Sequence, residues 1–284
     1  MITRKAAIIF LVLIGLVVMP IVSTHAQKSP PSAPPAPGAV VWFDLLTEDA
    51  NAVLEFYGEL FAWDIQVHTP SHYVVIHNGQ PIAGISQIQG EKSDTNEAFW
   101  LAGIVVDDVD KAVKRATRRG APVHVQPADS AGYARYAIIS DSEGVPVMLL
   151  DPFTSLGGDH GPGSWVWAEL WARNPDSAAS FYDEVVGYKK GQTDVGGAPY
   201  QVFKTRDEIR AGIVKTPHDE IKPAWAPYLL VADLDDIIAR TPKLGGTVLA
   251  QPDTFSSLGS VALLADPAGA AFFVYQRNEE GASK

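Results

Sequence analysis

The chain has 284 residues, and its 46% hydrophobic and 10% aromatic content is that of a packed globular protein rather than a disordered one. Its net charge is −11, a balance that repels phosphate backbones and excludes nucleic acid as an expected partner. Cysteine is absent, which excludes disulfide stapling, thiol catalysis and lipid attachment at a lipobox.

Arg4 and Lys5 precede an unbroken apolar run from Ala6 to Met19, then Pro20 and the small-residue stretch Ser23-Thr24-His25-Ala26. This reads as a signal peptide over residues 1–26, cleaved after Ala26. The run is short for a membrane span, which needs about 20 apolar residues, and an uncleaved anchor is the other reading. Both place the globular part outside the cytoplasm, periplasmic or secreted. The mature domains are expected not to insert stably in a membrane. Residues 27–38 form a Pro/Ser/Ala linker with nothing to bury.

From Val41 to Thr47 the sequence predicts a strand, followed by Asp49 as a helix N-cap. Val53, Phe56, Tyr57 and Leu60 then recur at helical spacing. Short strands are expected over residues 64–68, 73–77 and 82–88. A second round opens with a strand at 99–106 and a helix capped by Asp108 and stopped by Gly120. Strands at 123–126, 135–140 and 145–150 close it.

The order is then repeated 125 residues later. Trp42 matches Trp167, Phe56-Tyr57 matches Phe181-Tyr182, Trp100 matches Trp225, Asp108 matches Asp233, and Asp141…Gly144 matches Asp266…Gly269. Asn174 replaces Asp49 as cap, and Pro175 takes the first helical position. Between Tyr73 and Phe99 the register slips, since Ala83-Gly84-Ile85 pairs best with Ala211-Gly212-Ile213. Domain one is assigned to 39–153 and domain two to 165–278, with a Gly-rich linker at 154–164 and a tail at 279–284.

A βαβββ unit repeated within each copy resembles the vicinal oxygen chelate superfamily of glyoxalase I, extradiol dioxygenases and bleomycin-resistance proteins. The carriers are the strand–Asp–helix opening with Phe-Tyr at its centre, the steps Phe61-Ala62-Trp63 and Val186-Gly187-Tyr188, and the closing Asp266-Pro267-Ala268-Gly269 turn. In the first copy that turn, Asp141-Ser142-Glu143-Gly144, lacks the proline. The resemblance implies an α+β fold of two tandem domains. Each would pair two βαβββ units in a curved, half-open mixed sheet with helices outside.

The resemblance also implies where a divalent ion would sit: seven residues before each helix cap and four after the glycine of each closing turn. Those positions hold Trp42, Leu101, Trp167, Ala226, Met148 and Phe273, with a poorly fixed further position near Ser86-Gln87 or Val214-Lys215. None of the six can ligate a hard cation. No metal ligand and no cofactor is therefore expected, although a divalent ion held by residues outside this spacing stays open.

Strand alternation turns Asp44 and Leu46 the same way as Trp42, and Phe43, Leu45 and Thr47 onto the helix. In copy two, Trp167, Glu169 and Trp171 share the inward face, as do Tyr228 with Ala226 and Phe273 with Tyr275. Trp42, Asp44, Trp167, Glu169, Tyr228 and Phe273 are the candidate ligand-binding residues. Asp44 and Glu169, the polar feature the two pockets share on this strand, are the weak candidates for catalysis; an ion pair with an arginine such as Arg135, or exposure at the rim, is the structural alternative. His68, His72 and His77 straddle a predicted turn and read as solvent-facing rather than as a metal site.

Three functions remain: a metal-free protein binding a small organic molecule, a lyase, isomerase or dioxygenase using unusual ligands or Asp44 and Glu169, and a structural or partner-binding surface protein with filled pockets. Two copies in one chain supply an internal pseudo-dimer, so a monomer is expected.

Overall fold

The computed structural model describes residues 35–88, 98–130, 133–154, 156–157, 161–195, 197–255 and 259–278. The signal segment, most of the Pro-rich linker, parts of the inter-copy seam and the tail lie outside the described residues.

In the first copy β1 (Val40–Thr47), α1 (Ala50–Phe61), β2 (Asp64–Thr69), β3 (His72–His77) and β4 (Gln80–Gln87) form one βαβββ unit. β5 (Phe99–Val105), α2 (Val109–Arg118), β6 (Val123–Ser130), β7 (Ala134–Ser140) and β8 (Pro146–Pro152) form the other. The second copy repeats this as β9 (Trp165–Ala172), α3 (Pro175–Val186), β10 (Lys189–Val195), β11 (Ala198–Thr205) and β12 (Glu208–Lys215). It continues with β13 (Ala224–Leu230), α4 (Leu234–Arg240), β14 (Thr247–Phe255), β15 (Gly259–Ala265) and β16 (Ala271–Arg277).

Each copy is an eight-stranded mixed sheet, ordered β2-β3-β4-β1-β5-β8-β7-β6 and β10-β11-β12-β9-β13-β16-β15-β14. The first strand of each unit pairs parallel with the last, and the two units join antiparallel through β1 and β5 or β9 and β13. The fold is the expected α+β tandem.

The predicted caps hold their helices. Asp49, Asp108, Asn174 and Asp233 each accept a hydrogen bond from the backbone N–H three residues on. One helix differs from expectation: α4 stops at Arg240 and a 3₁₀ turn over Thr241–Leu244 leads to Gly245. Pro242 lacks the N–H that a continued α-helix needs.

The helices lie on the convex faces, and there the copies meet. One continuous core takes Phe43, Leu45, Phe56 and Tyr57 from the first copy together with Leu170, Phe181, Tyr182 and Phe272 from the second. Phe43 and Trp165 meet at a tilt with ring centroids 5.0 Å apart, and Phe56 meets Phe272 edge-on at 6.3 Å. The contacts run both ways, as a pseudo-twofold requires: Tyr57 bonds Asp266, and Tyr182 bonds Asp141. The entering chain is also fastened to copy two, where Tyr188 Oη donates to the Gly38 carbonyl at 2.6 Å and Thr205 Oγ1 to that of Pro37 at 2.7 Å. The concave faces are left free to carry different side chains.

Candidate functional site

On β1 the alternation falls as the sequence predicts. Phe43 and Leu45 enter the shared core, while Trp42 and Asp44 line a cavity of about 60 Å³ in the concave face of the first copy, room for several waters or a small organic molecule. Val74, Tyr136, Met148 and Leu150 make its wall apolar, and His68, His72 and Ser130 also line it, with His68 Nε2 and Ser130 Oγ buried behind its surface.

Asp44 is 3% exposed, so its charge needs partners. Arg135 is not one of them: it bridges Asp110 at 2.6 Å and Asp129 at 2.7 Å on the outer surface. Ser86 Oγ donates to Asp44 Oδ1 at 2.8 Å and lies 2.8 Å from His72 Nδ1. The serine proton is committed to the carboxylate, so Nδ1 of His72 must carry the proton that Ser86 accepts. Neutral His72 then keeps an acceptor lone pair at Nε2. Burial and the negative charge of Asp44 push the Tyr136 phenol up from its ordinary range.

This corrects the expectation for the histidines. His72 is 5% exposed and begins β3 instead of closing a turn, which puts it on the same face as Val74. His68 lies at the cavity wall, its ring 5.7 Å from that of His72. Burial, then the neighbouring His72, lowers the pKa of His68 and favours its neutral form. His77 ends β3 away from this wall. Ser130 escapes the sequence reading because Gln126-Pro127 looks like the end of a strand. β6 runs on to Ser130, its register shifting between Val125 and Ala128, as an edge strand can around a proline.

A glycine makes room for the acid in each copy. Gly84 is the register partner of Asp44, and a Cβ there would collide with the carboxylate and come within 2.9 Å of His72 Cε1. Gly212 is the partner of Glu169, and a Cβ there would collide with Tyr200 Oη. His72 lies 12 residues before Gly84 and Tyr200 lies 12 before Gly212, so the two are equivalent through the slipped register.

In the second copy the candidates come together but engage one another. Glu169, 7% exposed, accepts from Trp171 Nε1 at 2.7 Å, from Tyr228 Oη at 3.3 Å and from Tyr200 Oη. Trp167 Nε1 donates to Tyr200 Oη at 3.1 Å. Burial and the Glu169 charge push both tyrosines well above their ordinary range. Tyr228 stacks on Phe273 with centroids 4.4 Å apart. Their equivalents in the first copy are Gly103 and Met148. Two stacked rings thus fill in copy two what a glycine and a flexible methionine leave open in copy one.

The donor set does not fit the divalent ion that the family resemblance implies. The spacing-derived positions carry indole, alkyl, thioether and phenyl groups, and among the described residues no three His, Asp or Glu side chains converge as a metal site.

Two family models match the chain: residues 39–149 match the Glyoxalase/Bleomycin resistance protein/Dioxygenase superfamily, and residues 166–275 match a Glyoxalase-like domain. CFP32 of Mycobacterium tuberculosis (strain CDC 1551 / Oshkosh), which carries a provisional glyoxylase name, is 31% identical over 245 residues, covering 84% of this chain and 94% of that protein. The anthracycline biosynthesis protein DnrV of Streptomyces peucetius is 29% identical over 263 residues, covering 86% and 95%. Among solved structures, the Mn(II)-bound glyoxalase from Novosphingobium aromaticivorans superposes with a TM-score of 0.62 at 13% identity, covering 84% of this chain and 82% of that one. A catechol 2,3-dioxygenase superposes at 0.58 with 12% identity, covering 84% and 93%. The chain is a tandem member of the Glyoxalase/Bleomycin resistance protein/Dioxygenase superfamily.

Proposed function

We propose that this protein is an exported member of the family that holds a small, partly apolar organic molecule in the concave face of its first copy, without a metal ion. The carrying observation is the cavity behind Trp42, where an apolar wall surrounds the hydrogen-bonded chain His72–Ser86–Asp44. The second copy, its concave face occupied by Tyr200, Tyr228 and Phe273, serves as a scaffold and completes an internal pseudo-dimer, so the protein acts as a monomer.

Metal analysis and mass spectrometry of protein purified without chelators test this reading. The expected result is substoichiometric metal and a small molecule that co-purifies or binds in the first copy. A transition metal at one equivalent, bound in either sheet, overturns it. N-terminal sequencing of the exported protein is expected to begin at Gln27, and a retained Met1 would favour the anchor instead.

A second reading, acid–base catalysis without metal, draws on one observation: the Ser86 link orients His72 beside the cavity with Nε2 as a proton acceptor. It predicts isomerase- or lyase-type turnover that Asp44→Asn and His72→Phe both abolish. Turnover surviving both changes overturns it.

A further inference from the structure

In each copy three neighbouring strands set one residue apiece in a row across the concave face. The row is Trp167–Tyr228–Phe273 in the second copy and Trp42–Gly103–Met148 in the first, each residue 125 positions from its twin. The Tyr228 ring lies nearly parallel to that of Phe273, with centroids 4.4 Å apart. Gly103 supplies no such ring. A Cβ there would come within 2.9 Å of Trp42 Cβ and 2.7 Å of Leu150 Cδ1, so Gly103 sits between two residues of the cavity wall. The second copy carries in its own chain the kind of group that the first copy leaves room for.

The wall favours that kind of group. Trp42, Tyr133 and Tyr136 bring aromatic side chains to it and Met148 a thioether, and both attract an aromatic ring beyond the area it buries. A water molecule needs about two to four polar partners, and this wall offers almost none, because His68 Nε2 and Ser130 Oγ are buried behind it. No lysine or arginine lines it to hold an anion. The buried acid does not call for a donor on the occupant either. Asp44 accepts from Ser86, whose equivalent across the slipped register is Val214, whereas Glu169 accepts from the ring hydroxyl of Tyr228.

We propose that the first-copy cavity receives an aromatic ring, seated over Gly103 beside Trp42 and Met148 as Tyr228 is seated in the second copy, and held by packing alone. This rests on the reading of the first copy as a ligand site. It adds the class of ligand, and it makes Gly103 and Met148 the residues that open the site.

Toluene, methylcyclohexane and benzoate, each titrated into the full exported protein, test this. Relative to its transfer from water into hydrocarbon, toluene is expected to bind about threefold or more tighter than methylcyclohexane. Benzoate is expected to bind about tenfold or more weaker than toluene, since its charge finds no partner there. Met148 is the only methionine after Met19, so its isotope-labelled methyl reports on the cavity directly. Toluene is expected to move that methyl signal upfield through its ring current, saturating with the binding curve. The double variant Gly103→Tyr/Met148→Phe gives the first copy the row of the second and is expected to weaken toluene binding about tenfold or more. Leu150 Cδ1 must turn aside for the new tyrosine. Should that variant fail to fold, the methyl signal still decides. No advantage of toluene over methylcyclohexane, tighter binding of benzoate, an unmoved Met148 methyl at saturation, or unchanged affinity in the folded double variant each overturns this inference and leaves the ligand-site reading standing. Binding of none of the three compounds overturns it too, and the ligand-site reading then rests on its own mass-spectrometric test.

Discussion

Tyr57 of the first copy donates its phenol proton to Asp266 of the second across 3.1 Å, deep in the core the two copies share. Asp266 spends its other oxygen on the backbone N–H groups of Ala268 and Ala270, closing the turn before β16. The pair ties the helix of one copy to the last hairpin of the other.

Burial pushes the Asp266 carboxyl up to about 6, against an ordinary value of 3.8, and its hydrogen bonds only partly offset this. The folded chain thus holds that proton more tightly than the unfolded one. The stability it contributes is full below about pH 3.8 and is lost as pH rises through about 6. A shift of this size corresponds to ~3 kcal/mol. Asp266→Asn should flatten the fall in stability between pH 4 and 6, read from urea midpoints at each pH. Parallel curves for the variant and the natural protein would refute this.

The twin contact, Tyr182 to Asp141 at 3.1 Å, carries one bond more: Trp225 Nε1 donates to Tyr182 Oη at 2.9 Å. Its counterpart Trp100 meets Tyr57 edge-on, and its Nε1 makes no hydrogen bond of comparable geometry there. Tyr57→Phe strands one buried oxygen, and Tyr182→Phe strands an oxygen and an indole N–H. Each orphaned group costs ~1–3 kcal/mol, so Tyr182→Phe should lower the unfolding free energy more than Tyr57→Phe does. Chemical denaturation of the two variants checks the order.

Ser86→Ala cuts the hydrogen-bonded path from His72 to Asp44, leaving a buried carboxylate and an imidazole N–H without their shared partner. The expected cost is ~1–3 kcal/mol. Ser86→Thr keeps the hydroxyl and should recover most of it. Equal losses in the two variants would show that packing, not the hydrogen bonds, matters at this position.

Ala62 ends α1 in the left-handed region at φ 55°, where the second copy uses Gly187 at φ 91°. Ala62→Gly should stabilise the protein by ~0.5–1 kcal/mol, since glycine adopts that conformation without the Cβ penalty. Gly187→Ala should do the reverse, and thermal melts of both variants test the pair together.

Much of this structure can be read along the chain. Capping residues act locally, so Asp49, Asp108, Asn174 and Asp233 announce their helices. Alternation on a paired strand decides which way Trp42 and Asp44 point. What stays hidden depends on partners remote in sequence. His72 looks like a turn residue until β4 pairs with β3 and offers Ser86. A proline before Ser130 looks like a stop unless β6 is known to be an edge. The sequence places Tyr228 and Phe273 on inward faces but cannot show that they stack on each other, because that needs β13 and β16 side by side.

The bonds from Tyr188 and Thr205 to the carbonyls of Gly38 and Pro37 have a consequence for the order of events in synthesis. The anchor for the start of the folded region is made about 150 residues later, roughly 8–30 s at usual elongation rates. Until then the first copy has its own sheet but no cover for Phe43, Phe56 and Tyr57. The nascent chain waits half-dressed, and the finished protein should come apart as it came together, both copies in a single calorimetric transition.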